Sequence, residues 1–140
     1  MEQGELIEFV RTHGDAVVAT VGADGHPHAS YVSITATDRG ELVFNARRGS
    51  RTVANIAQHP EVAVVVGGRE LLTLQCEGRG SEPEETDRDR CVAAYVDAFP
   101  QFAASSTMPG IVFIRVTVAR ARLSDLRSQA LIASEWAGAF

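Results

Sequence analysis

Short runs of β-branched and apolar residues, separated by glycine-containing turns, limit what this chain can fold into. A run at residues 16–21 is followed by a turn that contains Asp24-Gly25, and a second run at residues 26–37 is followed by Asp38-Arg39-Gly40. A third run occupies residues 41–45. Asp-Gly turns between such runs favour β-hairpins. We therefore expect the three runs to form an antiparallel meander.

The rest of the chain alternates between helical and strand patterns. A short amphipathic helix is predicted at residues 4–13, a second at 52–58, and a third that starts near 81–83 and ends at Pro100. Ser50 is a candidate N-cap for the second helix, and His59-Pro60 is expected to end it. Further segments follow from the same patterns: strands at 61–67, 71–81 and 111–123, a loop at 101–110, and a weakly helical tail at 124–140.

Six strands and three short helices in a chain of 140 residues predict a single domain. An open sheet of this size would leave an apolar edge exposed, whereas a closed or split antiparallel barrel removes it. We therefore predict a mainly β fold. The domain covers residues 1–140, with its core at about 5–125 and a C-terminal tail at 126–140.

Composition narrows the functional classes. The chain carries 13 basic and 18 acidic residues for a net charge of −5, which argues against general nucleic-acid binding. No apolar run approaches the length of a membrane span, and Glu2 and Glu5 stand where a secretory signal would be basic. Two cysteines, Cys76 and Cys91, are too few for a disulfide framework and are expected in the core. These features favour a cytoplasmic protein.

The chain contains no lysine, so any anionic partner must be bound by arginine or by neutral donors. Arg47, Arg48 and Arg51 form its densest basic cluster, directly before the second predicted helix. A helix N-terminus presents free N–H groups and a partial positive charge. With the hydroxyls of Ser50 and Thr52, this segment predicts a phosphate-binding site. An ordinary N-cap beside a solvated group of charges is the alternative.

The order of these features resembles the pyridoxamine 5′-phosphate oxidase-like, FMN-binding split-barrel superfamily. The resemblance covers about residues 5–125, and its most specific part is the block from the third strand through Gly49-Ser50-Arg51-Thr52 to Pro60-Glu61-Val62. The later Glu77-Gly78 at a strand end and the following helix with Tyr95 are also similar. The resemblance implies a six-stranded antiparallel split β-barrel of Greek-key type with short helices.

The resemblance also implies a homodimer with a flavin site at the subunit interface. The FMN phosphate would be held by Ser50, Arg51 and Thr52, and Arg47 or Arg48 would compensate because the family often has lysine at the position of Thr52. The remaining residues at family positions that contact the flavin are Ser30, Tyr31, Val32, Ser33, Phe44, Asn45 and Thr73. No side chain is assigned as a catalytic acid or base.

The function that this resemblance implies is a flavin-dependent oxidoreductase acting on a small organic substrate through flavin N5. The alternatives are a deazaflavin-dependent reductase and a non-catalytic flavin- or heme-binding module. The family's C-terminal substrate-binding extension is missing from this chain, so activity on pyridoxamine phosphate is not expected. The loop at 101–110 and the partner's tail are expected to shape the substrate site.

Two further features bear on function, a pair of histidines and a tryptophan. His26 and His28 would face the same side of a strand, but a metal site would need further ligands that the spacing does not supply, so a structural role is favoured. Trp136 is the chain's one tryptophan and stands in the polar tail. We expect it to pack against either a dimer partner or a flavin ring.

Overall fold

The computed structural model describes residues 1–127 and 132–138. Its elements in chain order are α1 (Gln3–His13), β1 (Asp15–Val21), β2 (Pro27–Ser33), β3 (Thr35–Ala36), β4 (Leu42–Arg47), α2 (Arg51–Gln58), β5 (Glu61–Gly67), β6 (Leu72–Ser81), α3 (Glu85–Ala98), a 3₁₀ helix (Pro100–Ser106), β7 (Ile111–Asp125) and β8 (Ile132–Ala137). Within these residues, every helix is too short or too polar to cross a membrane.

All strands belong to one antiparallel sheet in the order β2-β1-β5-β6-β7-β4-β3, with β8 paired to β7. Only Ile34 separates β2 from β3, so the two ends of the sheet lie on the same run of chain. The sheet is therefore curled, and the helices flank it. The predicted mainly β, split-barrel fold is confirmed.

The predicted second strand, residues 26–37, is interrupted at Ile34. The Ile34 side chain is fully buried, and its N–H donates to the carbonyl of Gly14 at 3.0 Å. Before this residue β2 pairs with β1, and after it β3 pairs with β4. The two predicted hairpins are therefore confirmed, but the predicted continuous second strand is wrong, because this strand changes its neighbour midway.

The predicted weakly helical tail is also wrong for residues 132–137. This segment forms β8, whose Trp136 lies opposite Ala121 of β7. Trp136 is half-buried and packs against the barrel core of its own chain. The N-terminal ammonium of Met1 donates to the carbonyl of Glu135 at 3.4 Å. The rest of the predicted tail, residues 128–131 and 139–140, lies outside the described residues.

The core has two parts. The larger fills the barrel, where inward-facing strand residues meet Leu6 and Val10 of α1 and Ile56 of α2. The smaller lies under α3 and joins Val43, Cys91, Tyr95 and Phe113. The two cysteines are buried, as expected, and burial raises the pKa of the Cys76 thiol to about 12.

A network of charges ties α3 to the barrel. The Glu41 carboxylate accepts hydrogen bonds from Arg90, from Arg115 at 3.4 Å and from the Thr37 hydroxyl at 2.8 Å. Arg90 also donates to Asp87 at 2.9 Å. Burial of Glu41 by itself raises the pKa of its carboxyl, but these bonds outweigh burial and leave the pKa below its ordinary value of 4.5.

Replacing Glu41 with glutamine is expected to lower the free energy of unfolding by about 2 kcal/mol at pH 7, because two arginines lose their anion. Since folding lowers the pKa of Glu41, its stabilising effect is present above pH 4.5 and is lost as the pH falls through the folded-state pKa. The difference between wild type and variant should therefore shrink at pH 3. Urea denaturation at both pH values measures it.

The matched control is Glu61→Gln, which removes an exposed partner of Arg79. Exposed pairs contribute less than about 1 kcal/mol, so this variant should unfold almost as the wild type does. Equal losses for the two variants, or a loss at Glu41 that is the same at pH 3 and pH 7, would contradict the expectation.

Candidate functional site

The predicted anion site lies in the segment that connects β4 to α2. After Arg47 the chain turns through Gly49, whose φ of 93° suits glycine, and Ser50 starts the helix. The Ser50 hydroxyl accepts from the N–H of Val53 at 3.4 Å, so the predicted N-cap is confirmed. The preceding N–H groups, those of Arg51 and Thr52, lie in the first turn, where a helix has no internal acceptors for them. They are available to an anion.

A chain of polar side chains connects β2 to this helix start. The hydroxyls of Ser30 and Thr52 hydrogen-bond each other at 2.9 Å, and Nε2 of His28 lies 3.1 Å from the Ser30 hydroxyl. Thr52 is only 4% exposed. Nearby, the amide of Asn55 donates to the Thr20 hydroxyl of β1 at 3.0 Å and fixes α2 on the sheet. We call Ser30, Ser50, Arg51 and Thr52 the cradle.

The three clustered arginines have different environments. Arg51 is exposed in the first turn of α2. The hydrogen bonds from His26 lower the pKa of Asp24, and the positive charge of Arg51 adds to this. Arg48 pairs with Glu82 at 2.8 Å, and Arg47 is exposed at the end of β4. Arg51 is thus the arginine that the helix itself places at the cradle.

A second group of predicted residues lines a cleft of about 450 Å³. Tyr31, Val32 and Ser33 form its β2 side, and Asn45 forms its β4 side. The far side is formed by α3 and by the segment around the 3₁₀ helix, in the region predicted as a loop. The cradle and the cleft therefore share one strand, with Ser30 in the first and the next three residues in the second.

Hydrogen bonds hold the walls of the cleft. The Asn45 amide donates to the Ser105 hydroxyl at 3.3 Å. Burial raises the pKa of Tyr95, and the side chain of Asn45 offsets this rise only in part. Tyr31 is 72% exposed at the cleft edge and donates its hydroxyl proton to Asp15. This bond raises the pKa of Tyr31, so the phenol stays protonated.

Four predicted site residues lie in neither group: Arg47 and Arg48, described above, and Phe44 and Thr73. The Phe44 side chain is fully buried in the barrel core, which leaves only its main chain to meet a ligand. Thr73 lies on β6 opposite Gly67 and Ser124. Sequence reasoning gave His28 a structural role, although its two-residue spacing from Ser30 is the signal that both side chains share one face of β2. It also did not single out Phe102, Ser105 or Met108 at the cleft.

Comparison with known proteins adds the family context. A family model described as pyridoxamine 5′-phosphate oxidase matches residues 3–125. A pyridoxine/pyridoxamine 5′-phosphate oxidase from Burkholderia cenocepacia (strain HI2424) is 36% identical over 78 residues, which are 55% of this chain and 36% of that protein. One from Burkholderia multivorans is 35% identical over the same extent. The match thus spans about a third of the length of these curated relatives.

Several solved structures share the fold. A heme binding protein from Mycobacterium smegmatis has a TM-score of 0.77 at 17% identity, over 96% of this chain and 58% of that one. A putative pyridoxamine 5′-phosphate oxidase from Listeria innocua has a TM-score of 0.71 at 19% identity, covering 90% and 98%. The heme storage protein HutZ from Vibrio cholerae has a TM-score of 0.69 at 18% identity, covering 92% of each chain.

Proposed function

The chain belongs to the pyridoxamine 5′-phosphate oxidase family, and on that premise we propose that it is an FMN-binding oxidoreductase acting on a small organic substrate. The observation that carries this proposal is the position of the cradle and the cleft on the same strand, β2. The cradle offers hydrogen-bond donors suited to a phosphate, and the cleft offers a walled space suited to a ring.

The donors at the cradle fit a flavin phosphate. They are the free N–H groups at the start of α2, the hydroxyls of Ser30 and Thr52, and the guanidinium of Arg51. Arginine can meet two phosphate oxygens at once, which suits a site without lysine. The positive end of the helix dipole adds to the attraction.

The cleft residues would orient the ring and keep water from it. When bound, FMN supplies the electron transfer chemistry at its N5 atom. Ser33 and Asn45 can hydrogen-bond the polar edge of a ring, and Phe102 and Met108 cover it with apolar surface. Because Tyr31 keeps its proton, its role is to bound the cleft and not to act as a base.

A homodimer is part of the proposal. The outward face of β1 and β5 exposes Val17, Val21 and Val65, each about 40% exposed, beside the more exposed Tyr31 of β2. These apolar side chains are next to the cleft and form a candidate interface, which a second copy would cover. A partner on this face would close the open side of the flavin site.

The discriminating experiment compares ligands that differ by one group. FMN is expected to raise the melting temperature of the purified protein by much more than riboflavin does, because riboflavin lacks the phosphate that the cradle would bind. Thermal shift and absorbance titrations, run in parallel with a deazaflavin and with heme, measure this. A protein that neither flavin nor deazaflavin stabilises would overturn the proposal, and heme binding in its place would favour the heme-binding alternative.

Catalysis requires a second observation. Bound FMN should be reduced by NAD(P)H and reoxidised by an added acceptor over repeated cycles. If FMN binds tightly but is not repeatedly reduced and reoxidised with any acceptor, the protein is a non-catalytic flavin-binding module.

A further inference from the structure

His28 lies beside the cradle without being one of its members. Its ring nitrogen Nε2 is 3.1 Å from the Ser30 hydroxyl, which is 2.9 Å from the Thr52 hydroxyl. Within the described part of the chain, the Ser30 hydroxyl is the one side-chain partner of His28. The three side chains thus form a hydrogen-bonded chain, here called the relay, which ends in the first turn of α2.

The relay can run in two directions, because an imidazole nitrogen either carries a proton and donates or carries a lone pair and accepts. If Nε2 of His28 donates to Ser30, one hydroxyl proton joins Ser30 to Thr52 and the other hydroxyl proton stays free. If Nε2 accepts, Ser30 donates to it and Thr52 donates to Ser30, so neither hydroxyl proton is left. The first direction offers an anion a donor, and the second presents it with an oxygen lone pair.

The direction of the relay matters because the cradle has few other donors. Thr52 is only 4% exposed, so water has little access to replace a missing hydrogen bond. The chain has no lysine, and Arg51 is the arginine that the helix itself places at the cradle. A phosphate held there would therefore depend on neutral donors as well as on the guanidinium.

The neighbouring His26 is a useful comparison. Its Nδ1 is 2.6 Å from a carboxylate oxygen of Asp24, so an anion of the protein holds a proton on that nitrogen. In the part of the chain that the structure describes, Nε2 of His28 faces a hydroxyl, which can donate or accept, and not a carboxylate. The direction of the relay is therefore free to respond to what the cradle binds.

We propose that His28 is a positioning residue for phosphate recognition, and that an anion in the cradle selects the direction in which Nε2 donates. The inference rests on the proposed function, in which FMN supplies the phosphate. His28 acts through Ser30 and Thr52 and not by touching the phosphate. A net proton is not required, since a neutral imidazole can carry its proton on either nitrogen.

Replacing His28 tests this role. His28→Phe keeps an aromatic ring without a nitrogen, and we expect it to weaken FMN binding about tenfold while riboflavin affinity changes less than about twofold. His28→Gln has an amide that can donate to Ser30 and should restore FMN affinity to within about threefold of wild type. Equal weakening of FMN and riboflavin by His28→Phe, or no rescue by His28→Gln, would overturn the inference.

The matched control is His59→Phe. It makes the same replacement at an exposed histidine that caps the C-terminal end of α2, the end opposite the cradle. Both flavin affinities should stay unchanged. A loss of FMN affinity equal to that of His28→Phe would contradict a role specific to His28.

A double-variant cycle separates the relay from a direct effect of the imidazole on the phosphate. Ser30→Ala removes the hydroxyl that links His28 to Thr52. In the Ser30→Ala protein, the addition of His28→Phe should therefore cost less than about twofold in FMN affinity, against about tenfold in the wild type. The same loss in both backgrounds would show that His28 acts without the relay, and would overturn the inference.

NMR spectra of the histidine ring nitrogens give a readout other than affinity. Spectra of the full-length protein, with the His28 signals assigned through His28→Gln, should show a proton on Nε2 when FMN or inorganic phosphate is bound. An unprotonated Nε2 in the bound state would contradict the proposed direction.

The two proposals fail separately. FMN binding without coupling between His28 and Ser30 would overturn the relay alone. Coupling between these residues in the binding of inorganic phosphate, by a protein that does not bind FMN, would overturn the flavin proposal and support the relay. A protein that binds neither FMN nor inorganic phosphate would overturn both.

Discussion

Replacing Phe44 with alanine is expected to lower the free energy of unfolding by about 3–5 kcal/mol. The Phe44 side chain is fully buried in the barrel core, on the β4 strand that pairs with β7. Its removal leaves a cavity that strand-bound neighbours cannot fill without distorting the sheet. Denaturation in urea, followed by circular dichroism, measures the loss. A cost under about 1 kcal/mol would contradict the placement of Phe44 in the core.

Two companion variants separate stability from ligand contact. Phe102→Ala removes a ring of the same size from a partly exposed position and should cost far less stability than Phe44→Ala. Phe44→Leu keeps most of the core volume and should fold with unchanged FMN affinity, because this side chain does not line the cleft. Weakened FMN binding by a well-folded Phe44→Leu variant would show that the ring contacts the ligand after all.

Replacing Arg51 with alanine should weaken FMN binding by about 10- to 100-fold while riboflavin affinity changes less than about twofold. The size follows from the loss of hydrogen bonds to a charged group, worth about 1.5–3 kcal/mol. The selectivity follows because Arg51 is at the helix start, where the proposed binding mode places the phosphate and not the ring. Fluorescence titrations with both flavins, at fixed ionic strength, provide the measurement.

The control for Arg51 is its neighbour Arg48. Because the guanidinium of Arg48 is paired with the carboxylate of Glu82, Arg48→Ala should change FMN affinity much less. Equal weakening of FMN and riboflavin by Arg51→Ala would refute the phosphate role. A larger effect of Arg48→Ala would move the phosphate site to the loop before the helix.

Local patterns predicted most strands because turns and β-branched runs are encoded by neighbouring residues. They did not predict the break at Ile34, because the change of partner there depends on a hydrogen bond to Gly14, which is distant in sequence. Nor did they predict β8, whose strand conformation comes from pairing with β7 and not from its own composition. Long-range pairing outweighed local propensity in both places.

At the candidate site, too, features encoded by neighbouring residues could be predicted, and features that depend on distant residues could not. Ser50, Arg51 and Thr52 could be placed at a helix start because capping is a local property. The pairing of Arg48 with Glu82 is not local, so the sequence left open whether Arg47 or Arg48 supplies the compensating charge. The inward direction of Phe44 was also hidden, because strand periodicity shows which residues share a face but not which face is the core.

The shared position of the cradle and the cleft on β2 has a geometric consequence. A strand advances about 3.3 Å per residue, so Ser30 and Ser33 are about 10 Å apart along it. Because positions three apart on a strand face opposite sides of it, a ligand that fills both sites would have to run along the edge of β2 over at least this distance, with a negative group at one end and a flat neutral group at the other. Inserting or deleting one residue between them would change this length and also turn half of the strand's side chains to the opposite face.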